Sequence, residues 1–102
     1  MSQVILNLSS NIADKLNSYI RVFGDKELLF EKFIEFHKNR LKREIARMQI
    51  DLEVYEQKHK MTSEDFFNKF EKGELGDNQD FIIWSGIYEM QKESKLKLSQ
   101  LS

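Results

Sequence analysis

Gln3-Val4-Ile5-Leu6-Asn7-Leu8-Ser9 alternates as few helical chains do, with Val4, Leu6 and Leu8 on one side of an extended segment and Gln3, Ile5, Asn7 and Ser9 on the other. The period of two predicts one β-strand. No later stretch repeats it, so the strand has no mate in its own chain, and an unpaired strand edge in water is a liability. A second copy of the chain meets that need. Two such strands would pair antiparallel about a two-fold axis into a ribbon, with one face on a helical core and the other open to the groove of a nucleic acid.

Everything downstream reads as helix. Ser9 and Ser10 are good N-caps, and Ile12, Leu16, Tyr19, Ile20 and Phe23 recur at spacings of three and four before Gly24 supplies a stop. Asp25 can cap a second helix, whose apolar positions Leu29, Phe30, Phe33, Ile34, Leu41, Ile45, Met48, Leu52 and Tyr55 run on for about 35 residues without a breaker. From Ile34 the positions 34, 41, 45, 48, 52 and 55 follow a heptad seam, with Lys38 in the one seam position that is not apolar, so the far half should pack on another helix. Thr62 and Asp65 resemble a capping box, with Met61 placed to staple onto Phe66. That predicts a helix from Ser63 to Gly73. Glu74-Leu75-Gly76-Asp77-Asn78 is turn chemistry, and Asp77 or Asn78 can cap a last helix carrying Phe81, Trp84, Ile87 and Tyr88. Lys92 to Ser102 has few anchors and should fray.

Composition sets outer bounds. The 102 residues include neither Cys nor Pro, which rules out disulfides and thiolate metal sites and leaves long helices unopposed. No apolar run approaches the roughly 20 residues of a membrane span, and the start lacks a secretory pattern, so a cytoplasmic location is expected. The net charge of −1 hides an asymmetry. Residues 1–50 carry nine Lys and Arg against six acids (+3), and residues 61–102 carry five Lys against eight acids (−3). A basic front suits a polyanion and an acidic back suits a basic partner.

Val4-Ile5-Leu6-Asn7-Leu8-Ser9, followed by Ile12, Leu16 and Phe23-Gly24, resembles the ribbon-helix-helix family over the front of the chain. The resemblance implies that Gln3, Ile5 and Asn7 face base edges in the major groove and that Lys26, with the amides from Asp25 to Glu27, grips a phosphate. Carboxamides at 3 and 7 suit adenine, Ile5 a thymine methyl, and the small positive charge implies weak to moderate, salt-sensitive DNA binding. Tyr55-Glu56-Gln57-Lys58-His59-Lys60-Met61-Thr62-Ser63-Glu64-Asp65-Phe66, then Lys69-Phe70-Glu71-Lys72-Gly73-Glu74-Leu75-Gly76-Asp77, Asp80-Phe81 and Trp84, resembles the C-terminal part of small prokaryotic antitoxins. Joined to the front, this implies the antitoxin of a type II toxin-antitoxin pair, a dimer that represses its own operon and neutralises a cognate protein toxin.

No residue pattern suggests catalysis, a cofactor or a metal. His37 and His59 lack a carboxylate or second His at ligand spacing, Asp77-Asn78-Asp80 lacks the remaining oxygens of a calcium loop, and no nucleophile elbow or phosphate loop occurs. The large apolar residues of the tail, Phe66, Phe67, Phe70, Phe81, Trp84, Ile87 and Tyr88, suit for the most part the core of a terminal helical hairpin folding onto the long helix, but they exceed what two helices can bury alone, so the surplus should meet a dimer mate's long helix or a partner's groove, and all seven are candidate partner contacts. Lys38, Arg40, Lys42, Arg43 and Arg47 form a basic girdle on the second helix.

The expected fold is therefore mainly α, with an N-terminal strand in a dimeric ribbon, a long second helix and a C-terminal helical pair. Residues 1–60 form the dimerising, DNA-binding region and 61–102 the partner-binding tail. The expected function is a DNA-binding transcription regulator of antitoxin type that binds its own promoter as a homodimer or higher oligomer. The alternative is a dimeric helical interaction module without DNA binding.

Overall fold

A computed structural model describes residues 2–101, which form four helices: α1 (Ser10–Phe23), α2 (Lys26–His59), α3 (Ser63–Glu71) and α4 (Gln79–Leu101). The helix boundaries follow the capping chemistry. Ser9 accepts the Ile12 amide at 3.4 Å, Gly24 ends α1 with a φ of 80°, and the Asp25 carboxylate takes the Leu28 amide at 3.1 Å. Thr62 accepts the Asp65 amide at 3.1 Å, and Asn78 accepts the Asp80 amide at 2.9 Å at the start of α4.

The expected strand is absent. Residues 2–9 adopt no regular structure, and the described residues contain no strand, which corrects the ribbon and the ribbon-helix-helix fold built on it. The reason is physical. A two-residue alternation becomes a strand only when a neighbouring edge takes its amides and carbonyls, and a chain otherwise composed of helices offers none. Val4, Ile5 and Leu6 are 81%, 79% and 59% exposed, so the segment buries neither of its faces.

The chain divides into two compact units, Met1–Glu35 and Phe36–Ser102, with the division inside α2. The expected boundary after Lys60 falls at the turn between α2 and α3, within the second unit. In the first unit α1 is amphipathic, but only Ala13, Leu16 and Ile20 are half-buried, while Ile12, Tyr19 and Phe23 stay exposed. None of its described residues is fully buried.

The second unit has a small aromatic core. Leu52 from α2, Phe66 from α3 and Trp84 from α4 are buried to 2% exposure or less, with Tyr55, Met61, Phe67, Phe70, Leu75, Phe81, Ile87 and Tyr88 packed around them. From Leu41 on, the heptad seam thus finds its helix in the same chain, whereas Ile34 stays exposed. Asp80 lies against Lys58 and His59, Trp84 against Tyr55, and Gln91 against Ile45 and Gln49, so α4 runs antiparallel along α2. The expected fraying from Lys92 does not occur, since α4 continues to Leu101.

Candidate functional site

Trp84 organises the second unit. Its ring stacks on Phe66 with centroids 3.7 Å apart and planes 4° from parallel, and it lies nearly parallel to Tyr55 and His59 at 5.8 and 5.5 Å. Its indole Nε1 donates to the Ser63 hydroxyl at 2.9 Å, and the Ser63 amide donates to the Glu56 carboxylate at 2.8 Å. One chain of bonds therefore ties α4 to the start of α3 and on to α2. Gln91, 3% exposed, donates from its side-chain amide to the Ile45 carbonyl at 3.2 Å and the Gln49 side chain at 3.0 Å. A buried amide needs such partners, and here they fix how α4 lies along α2.

Asp80 receives Lys58 Nζ at 2.6 Å and His59 Nε2 at 3.2 Å. The hydrogen bond from Lys58, and after it the one from His59, holds the Asp80 carboxyl below the ordinary aspartate value of 3.8, while the same carboxylate raises Lys58 above 10.5. A carboxyl depressed in the folded state contributes stability above its unfolded pKa and loses it as pH falls through the folded one. The raised lysine contributes below its unfolded pKa and loses that as pH rises through the folded one. Both groups are solvent-accessible, so the effect is small. Acid melting followed by circular dichroism should show wild type losing more stability below about pH 4 than Asp80→Asn does, and superimposable acid limbs would dismiss the contact.

The residues expected to bind a partner are brought together, with different amounts of surface left over. Phe66 and Trp84 are wholly buried and offer none. Phe67, Phe70, Phe81, Ile87 and Tyr88 are half-buried around them, with Phe67 and Tyr88 rings 4.9 Å apart. Beside Phe67 an open hollow on α4 is formed with Gly86, Glu89, Met90, Lys92, Glu93 and Leu96. Ile82, Met90 and Leu96 are 55%, 53% and 61% exposed on this face, which points away from Trp84. A Cβ added at Gly86 would meet nothing within 4 Å, so the helix surface there is open.

The residues expected to read DNA are all exposed. Gln3, Ile5 and Asn7 lie in the irregular segment, and Lys26 begins α2. The Leu28 amide, among those an anion would seek at that helix start, is already bonded to Asp25. Periodicity could not reveal the roles of Ser63, Glu56 and Gln91, because each depends on a residue at least seven positions away. Among the described residues no helix is long and apolar enough to cross a membrane. No family model matches the sequence, and no curated protein or solved structure is significantly similar to it.

Proposed function

We propose that the chain is an antitoxin-like interaction module that dimerises through α1 and neutralises a cognate protein toxin by holding it on the outward face of α4. The observation that carries this reading is the balance of apolar surface. Only three large apolar side chains are fully buried, whereas twenty remain exposed among the described residues. A first unit of 35 residues with no buried side chain among those described is below the size that usually folds alone without help from another subunit. The α4 face supplies apolar anchors between acids, and the surrounding residues 61–102 are net acidic, which suits the basic site of a toxin that acts on RNA. Promoter binding rested on the ribbon, so holding a partner is the half of the expectation that the geometry supports.

Gly86 provides a test that leaves the core intact. Gly86→Ala should gain up to about 1 kcal/mol of helix stability, since a mid-helix glycine gives that up relative to alanine. Gly86→Leu should fold but place bulk where the partner approaches, weakening capture of the neighbouring gene's product by at least about tenfold, or ~1.4 kcal/mol. Co-purification from cells expressing both genes reads this out. Full capture by Gly86→Leu would remove the α4 face from the proposal.

A further inference from the structure

The far side of α2 carries a second seam that the internal packing does not use. Phe36, Arg40, Arg43, Arg47, Ile50 and Val54 follow steps of four, three, four, three and four, the spacing of a helix that packs on another helix. All six are exposed, with Phe36, Ile50 and Val54 at 58%, 64% and 60%. Arg40 is bonded to Glu44 at 3.3 Å, but Arg43 and Arg47 have no acidic partner among the described residues. The pattern is apolar at both ends and basic in the middle.

The outward face of α4 carries the complement. Ile82, Gly86, Glu89, Glu93 and Leu96 follow steps of four, three, four and three, apolar at the ends and acidic in the middle. When the two seams are set side by side in the same direction, Arg43 meets Glu89 and Arg47 meets Glu93, while Phe36 meets Ile82 and Ile50 meets Leu96. In the opposite direction Arg43 meets Glu93, Arg47 meets Glu89 and Val54 meets Ile82. Either way basic meets acidic, and in neither is a charge set against its like. Pairing α2 with α2 would instead stack arginine on arginine, which is unfavourable. Gly86 allows close approach at the seam's centre, where its surface is open.

The two seams share an edge. Arg47 and Glu93 line one hollow, with Met48 and Met90 between the helices, yet form no ion pair. A two-fold arrangement therefore lets α2 of each copy meet α4 of the other at once. We infer that the basic seam of α2 is a docking surface for the acidic face of α4 in a second copy of this chain. The inference concerns the α4 face of the proposed function and, as regulation of that site, rests on that reading.

The test is a charge-reversal exchange on the full chain, followed by light scattering at low salt. Arg43→Glu with Arg47→Glu, and separately Glu89→Lys with Glu93→Lys, set like charges against each other across the seam. Wild type is then held by two contacts, α1 on α1 and α2 on α4, and each variant alone should have half its mass, the α1 pair remaining, while keeping its helix content, because all four residues are exposed. Mixing the two variants restores both seams, acidic α2 on basic α4 and the reverse, and should return the wild-type mass. Salt at 1 M, where the screening length is about 3 Å, should weaken the wild-type assembly. Wild-type mass in either variant alone, or no recovery on mixing, overturns the inference. So does a seam variant that keeps its mass but loses the toxin or gains or loses binding to nucleic acid. Toxin capture through Gly86 is measured separately, so each claim fails by its own readout.

Discussion

Trp84→Ala is expected to remove most of the stability of the second unit, at a cost of roughly 3–5 kcal/mol for a buried aromatic truncated to alanine. Small domains are stable by only about 5–15 kcal/mol in all, so the variant should melt far below wild type or be unfolded at room temperature. The size of the loss follows from geometry. Trp84 is one of three fully buried side chains, stacks on a second, Phe66, at 3.7 Å, and carries the hydrogen bond to Ser63. Trp84→Phe separates these contributions. It keeps a ring against Phe66 but strips the indole bond, leaving the buried Ser63 hydroxyl without its donor, and should cost visibly less than the alanine. Urea denaturation of both, followed by circular dichroism, checks the order. Equal midpoints for Trp84→Ala and wild type would mean that the three-helix core is held elsewhere.

Tyr19→Glu combined with Phe23→Glu should separate the dimer proposed to form through α1. In a single chain these side chains are 57% and 64% exposed, their rings 5.4 Å apart on the open edge of α1, so charge there harms a monomer little. In a dimer built on that edge, two carboxylates per copy would enter an apolar interface without partners. Dissociation should strengthen by at least about a hundredfold, or ~2.8 kcal/mol, and light scattering at micromolar concentration should show a lower mass. The N-terminal unit should lose helix content with it, because none of its described residues is fully buried. An unchanged mass would mean that α1 does not hold two copies together. Leu16, half-buried, is a poorer choice, since its replacement would also disturb the fold of one chain.

The sequence by itself determined the helices and, apart from the far end of the last, where they stop. Ser9, Gly24, Asp25, Thr62 and Asn78 act within a few residues of themselves, and the bonds they make are local. The seam from Leu41 to Tyr55 was likewise legible, because a repeat of three and four says which side of a helix must be covered. It does not say what covers it. Tertiary structure decided that α4 covers the seam, that Phe66 and Trp84 are core, and that Gln91 anchors a segment whose composition suggested fraying. Those outcomes depend on residues 18 to 46 positions apart, where spacing along the chain carries no signal. The N-terminal alternation failed for the same reason. Its period describes how Val4, Leu6 and Leu8 could be buried, but a strand exists only where a second edge takes its backbone, and among helices there is none.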